Sequence, residues 1–173
     1  EPLRRGKGGR EHPPRGPVDD ATLRATLPHM PAPVAAAARV LRYTGARPSE
    51  VLAMRPELID RSGDVWLYRP RRHKTEHHGH ARVIALGPKA QAAIRELLEL
   101  KAPGEYLFDP RDAVAERDAK RGRRPGQPQT PRRTGRTIRD RYTRDAFAQA
   151  IARACDRAFP PPAHLARGVR DGA

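Results

Sequence analysis

Apolar residues in this chain are gathered rather than spread. Val34–Leu41, Val51–Met54, Val65–Tyr68, Val83–Leu86 and Ala90–Leu100 carry most of them. Two segments rich in Arg, Gly and Pro, Glu1–Pro17 and Arg117–Arg141, carry almost none. With mean hydropathy -0.82 and 37% hydrophobic residues, a core forms only if the five patches pack on one another. That points to one compact domain, residues 19–159, preceded by a basic linker over 1–18 and followed by a Pro-rich tail over 160–173. The two apolar-poor segments read as disordered or loosely held. Nothing in them offsets a backbone ordering entropy of about 1–2 kcal/mol per residue.

The patches differ in period, which sets the fold class. Asp19 or Asp20 can cap a short helix over Ala21–Leu27, ended by Pro28 and Pro31. Val34, Ala37, Ala38 and Leu41 recur at helical spacing, and Gly45 closes that helix. Pro48 opens the next, through Met54. The pattern then turns branched and aromatic at Val65–Arg69, with Arg72–Thr75 and Arg82–Leu86 flanking His77-His78-Gly79 as a hairpin. These three segments predict a small antiparallel sheet. Gly87-Pro88 launches a helix over Lys89–Lys101 with Ala92, Ala93, Leu97 and Leu100 on its apolar face. Tyr106-Leu107-Phe108 is a short extended piece. A polar Arg-rich insertion follows, and a last amphipathic helix spans Arg144–Phe159 through Phe147, Ile151, Ala154 and Cys155. The expected class is mainly α with a small three-stranded antiparallel β-sheet (α+β).

Composition narrows the partners. A formal charge of +15, from 35 Lys and Arg against 20 Asp and Glu, calls for a polyanion, with nucleic acid the usual one. Cys155 stands alone, which excludes an intrachain disulfide and a cysteine-built zinc cage. No apolar run approaches the roughly 20 residues that cross a bilayer. A soluble cytoplasmic protein working at the nucleoid is the expectation.

The segment Thr44-Gly45-Ala46-Arg47-Pro48-Ser49-Glu50 carries the most chemistry. A guanidinium is always protonated, and its planar fork matches two phosphate oxygens at once. Set in a turn between two packed helices, Arg47 would be rigidly aimed, and Glu50 could hold it by a charge-assisted hydrogen bond. The basic segment around the hairpin adds cations. Arg69, Arg71, Arg72 and Arg82 suit phosphate contacts that position a duplex rather than read it. His73, Thr75, His77 and His78 lie at the tip and suit contact with DNA. The histidines, with His80, lack a carboxylate or thiolate complement of ligand geometry, so no metal is expected.

Thr-Gly-x-Arg-x-x-Glu before an apolar stretch resembles the first active-site box of tyrosine recombinases, the phage-type site-specific integrases. The resemblance runs from about Asp20 to about Phe159 and includes the His73-Lys74-Thr75-Glu76-His77-His78-Gly79 hairpin. It implies that Arg47 clamps the scissile phosphate of double-stranded DNA and that Lys74 protonates the leaving 5′ oxygen. It implies cleavage and rejoining through a 3′-phosphotyrosyl intermediate without a cofactor, and a homo-oligomer on DNA in the intact protein.

The same resemblance exposes departures. The family's nucleophilic tyrosine follows a His-x-x-Arg box near the C-terminus. Tyr43, Tyr68, Tyr106 and Tyr142 each fall in segments that match non-nucleophile parts. His164-Leu165-Ala166-Arg167 has the letters of the second box, but Gly168 follows it and not an apolar helix. The chain therefore reads as a catalytic domain cut before that box, inactive by itself. A non-catalytic basic DNA-binding remnant is the first alternative. An RNA-associated basic protein is the second, disfavoured by 5% aromatic content, which leaves few stacking platforms.

Overall fold

The structure is a computed structural model that describes residues 16–71, 82–122 and 137–162. Within them the fold is mainly helical with one three-stranded antiparallel sheet. The helices are α1 (Asp20–Thr26), α2 (Ala32–Thr44), α3 (Pro48–Val51), α4 (Pro88–Leu100), α5 (Pro110–Arg121) and α6 (Arg144–Ala158). The strands are β1 (Ile59–Asp60), β2 (Trp66–Tyr68) and β3 (Ile84–Leu86), in that spatial order.

Helix ends fall where local chemistry puts them. Asp19 caps α1, its carboxylate accepting from the Thr22 backbone N–H at 2.7 Å. Thr143 caps α6 through the Ala146 N–H. Gly45 ends α2 at φ 62°, a left-handed conformation that costs a side-chain-bearing residue and costs glycine little.

Helix α2 is the hub. Pro33, Val34, Ala35, Ala36, Ala37, Ala38 and Val40 are all buried, because α2 packs against α3, α4, α5, α6 and β3. Its small alanines let those neighbours approach on nearly every side. The sheet closes one flank: Ile59 pairs with Tyr68, and Tyr68 with Ile84, so these three share the inner face with Leu86. Gln91 of α4 clamps the sheet by donating to the carbonyls of Asp64 and Leu86 at 2.6 and 2.9 Å.

The sheet includes a strand the pattern did not show, Ile59–Asp60, at two residues too short to leave one, while the expected strand at Arg72–Thr75 lies outside the described residues. Three expectations need correction. The helix from Pro48 closes at Val51, and Leu52 and Ala53 form a turn. The buried stripe of α4 is Ala90, Gln91, Ile94 and Leu98, while Ala92 and Leu100 face solvent. Ala90, Ile94 and Leu98 recur at four-residue spacing on that face, and Gln91 joins them by spending its amide on main-chain carbonyls. Finally, α5 reaches Arg121, so the start of the Arg-rich segment is helical. Asp109 caps it through the Arg111 N–H, Lys101 reaches Asp112 at 2.8 Å, and Glu116 accepts from the Ala32 N–H. The segment's far end, 137–141, leads into buried Tyr142, whose ring meets Phe147 edge-on with centroids 6.4 Å apart. Residues 123–136 and the linker residues 1–15 lie outside the described ones.

Candidate functional site

The turn between α2 and α3 is built atom by atom. The Thr44 hydroxyl donates to the Val40 carbonyl at 2.7 Å and accepts from the Ala46 N–H at 3.2 Å, bridging the helix end to the turn. Gly45 reverses the chain, Arg47 takes an extended backbone as N-cap of α3, and Pro48 sits at its first position. Glu50 reaches back one turn. Its Oε2 accepts from the Arg47 N–H at 3.0 Å, the glutamate half of a capping box. Its Oε1 accepts from Arg47 Nη1 at 3.2 Å.

A second arginine arrives from the sheet. Two-residue alternation puts Arg82 on the same face as Ile84 and Leu86, which is the inner face. Its Nη2 lies 3.4 Å from Glu50 Oε2 and its Nε 3.3 Å from Oε1. The Nε contact is an ion pair at a poor angle, for that nitrogen is buried without a hydrogen-bond partner among the described residues. Tyr68 completes the support by donating its hydroxyl to the Glu50 carbonyl at 2.7 Å. The Glu50 side chain is 1% exposed, whereas those of Arg47 and Arg82 are 47% and 37% exposed. One buried carboxylate thus holds two cations whose outer edges face solvent.

The electrostatics follow from that burial. Desolvation pushes the Glu50 carboxyl up, but the Arg47 N–H and the Arg82 guanidinium overcome it and hold the group below the usual carboxylate range. Burial, with the Glu50 charge beside it, drives the Tyr68 phenol far above its ordinary value. A carboxylate depressed in the folded state adds stability that is complete above its unfolded value near 4.5. That stability is lost as pH falls through the folded value. Asp19, Glu57 and Asp60 share the sign, each through hydrogen bonds to its carboxylate. Thermal denaturation is therefore expected to give a midpoint that is level from neutrality to about pH 5 and falls steadily below it. Glu50→Gln is expected to flatten that fall; an unchanged acid limb in the variant would disprove the assignment.

The other proposed cations are placed differently. Arg69 lies on the outer face with Asp60, 3.5 Å away, and Arg71 lies 3.4 Å from Glu57. Such exposed pairs are worth little in stability and open readily. So Arg47, Glu50 and Arg82 come together, while Arg69 and Arg71 do not join them. Lys74, Arg72, His73, Thr75, His77 and His78 lie outside the described residues. Among the described residues no three His, Cys, Asp or Glu side chains cluster to hold a metal ion, and no helix is long and apolar enough to cross a membrane.

The chain matches no protein-family model, no curated protein and no solved structure. Two supporting residues escaped the sequence reading. Tyr68 showed only as a strand aromatic, and Arg82 only as one of many hairpin cations. The alternation Arg82-x-Ile84-x-Leu86 carried the signal that Arg82 points inward, but nothing in it named Glu50, 32 residues away, as the partner.

All four tyrosines are described. Tyr43 is exposed, with Lys89 Nζ 5.9 Å from its ring centre. Tyr106 packs between Arg55 and Arg141, whose guanidinium carbons lie 4.2 and 5.3 Å from its centroid. Tyr142 is buried, and burial followed by the charges of Asp109, Asp112 and Glu116 pushes its phenol up to about 12.

Proposed function

We propose that this chain is the DNA-gripping part of a tyrosine-type site-specific recombinase catalytic domain, with Arg47 as the clamp on the scissile phosphate. The observation that carries the reading is the mounting of Arg47. Its backbone N–H and Nη1 are both tied to a buried carboxylate while half of the side chain stays open to solvent. An arginine held only for stability would gain little from such a half-exposed site. A phosphate ligand gains a pre-aimed fork with its ordering entropy already spent. The excess of cations, +15 overall, supplies the sequence-independent part of the affinity. Lys74 joins the proposal from the sequence resemblance alone, as the acid for the leaving 5′ oxygen.

A second reading, favoured by the burial of Tyr68 and Tyr142, keeps the same grip without strand transfer. Both readings predict that the chain binds duplex DNA weakly, with little sequence preference. They also predict a log–log salt slope of about -0.9 per phosphate contact. Fluorescence anisotropy with a labelled mixed-sequence duplex at several salt concentrations measures it. Arg47→Ala combined with Lys74→Ala is expected to make the slope shallower by about 1.8, two contacts, while the remaining cations keep binding detectable. Binding insensitive to salt, or absent at low salt, would remove nucleic acid from the reading.

A further inference from the structure

Glu50 poses a problem for a phosphate clamp. A carboxylate touching Arg47 both aims it and cancels its charge, and an anion approaching a neutral pair meets no net attraction. Arg82 changes that sum: two guanidinium cations share one buried carboxylate, leaving one net positive charge at the cluster. We propose that Arg82 is a positioning residue for the phosphate site, taking up the charge of the buried Glu50 so that Arg47 stays available to an incoming phosphodiester. The inference rests on the reading of Arg47 as a phosphate clamp and deepens it.

The geometry fits this division of work. Glu50 Oε2 accepts from the Arg47 backbone N–H at 3.0 Å, so aiming is secured mainly through the main chain. The side-chain contact, Arg47 Nη1 to Oε1, is longer at 3.2 Å, and Arg82 Nε stands 3.3 Å from the same oxygen. Both guanidiniums thus compete for Oε1, and neither saturates on it. Arg82 itself leans on inner-face strand β3, with Tyr68 holding the Glu50 main chain from beside it. Without Arg82 the carboxylate would remain buried with Arg47 as its one cation among the described residues, and Arg47 would be drawn fully onto it.

The test is a set of charge variants of the whole chain, assayed by anisotropy on a mixed-sequence duplex against salt. Arg47→Ala is expected to lower the slope by about 0.9 and the affinity about eightfold at 0.1 M salt. Arg82→Ala is expected to match it, since it silences Arg47 indirectly. The Arg47→Ala/Arg82→Ala pair is then expected to be no more than about twofold weaker than either single variant, for both act on one contact. Glu50→Gln/Arg82→Ala restores the net charge and is expected to recover most of the wild-type slope, and Arg82→Lys to keep it. The Glu50→Gln/Arg82→Ala pair also holds no unpaired buried carboxylate, so it carries the test should Arg82→Ala fold poorly. Additive losses, or no recovery in that pair, would overturn the role of Arg82 while leaving Arg47 as a clamp. No binding by the wild-type chain at low salt would overturn both.

Discussion

Tyr68→Ala is expected to cost about 3–5 kcal/mol, a large part of the roughly 5–15 kcal/mol that holds a domain of this kind together. Tyr68 is fully buried, and the strand register sets it between Ile59 and Ile84. Its removal opens a cavity under the sheet and frees the Glu50 carbonyl that its hydroxyl now serves at 2.7 Å. Since Glu50 also caps α3 and holds Arg47, the damage runs from the core into the site. Tyr68→Phe separates the two effects. The ring volume stays, and the Glu50 carbonyl keeps the Ala53 N–H at 3.2 Å, so the lost hydroxyl costs about 0.5–1.5 kcal/mol. Urea denaturation midpoints at constant slope measure both. A Tyr68→Ala variant within about 1 kcal/mol of wild type would mean that the sheet does not support the arginine turn, since core aromatic deletions cost several times more.

The second large effect is an absence of chemistry. Incubated with a nicked suicide duplex, the chain is expected to form no covalent adduct with DNA. Attack on phosphorus needs a phenol that is exposed, deprotonated at modest cost and close to the clamp. Tyr68 is buried with its hydroxyl committed to Glu50, and its phenol is held well above its ordinary value. Tyr142 is buried and pushed up to about 12. Tyr106 has the Arg55 and Arg141 guanidiniums over its ring, and Tyr43 has Lys89 over its ring. In the proposed site Arg47 would stabilise charge on a phosphate, and neither it nor Arg82 carries a nucleophile. A denaturing gel showing a protein–DNA adduct, mapped to any of the four tyrosines, would refute the expectation. If a segment bearing a second His-x-x-Arg box and a tyrosine is fused to the chain, any activity gained is expected to vanish with Arg47→Ala.

How much of this was legible in the sequence varies with the distance over which each feature is decided. The end of α2 at Gly45, the opening of α3 at Pro48 and the Glu50 cap act within three or four residues, so local pattern exposes them. Helix α5 was not legible. PRDAVAERDAKR has no apolar stripe, and the helix is held by Asp109 at its start, by Lys101 and by the Ala32 N–H 84 residues away. The buried face of α4 was misread because two adjoining apolar stripes, Ala90-Ile94-Leu98 and Ala93-Leu97, compete in the sequence, and the packing of α2 decides between them. Gln91 on that face is paired by two carbonyls, one from Asp64 just before β2 and one from Leu86 of β3. The burial of Tyr142 was hidden for the same reason, since it stands beside a polar stretch and is covered by Phe147 and its neighbours on other elements.

The sequence by itself determined the fold class, most helix limits and the position of the arginine turn. Capping, glycine at positive φ and proline at a first helical position are short-range effects that any chain with these residues would feel. Only the tertiary structure decided what that turn is worth. Glu50 is buried because Tyr68, 18 residues on, and Arg82, 32 residues on, close over it. A carboxylate takes its charge and its partners from atoms within a few ångströms, whichever part of the chain supplies them. Whether the Arg47 charge is cancelled or keeps an open edge is therefore set by the packing of β2 and the Arg82 segment against the turn, which no local pattern contains.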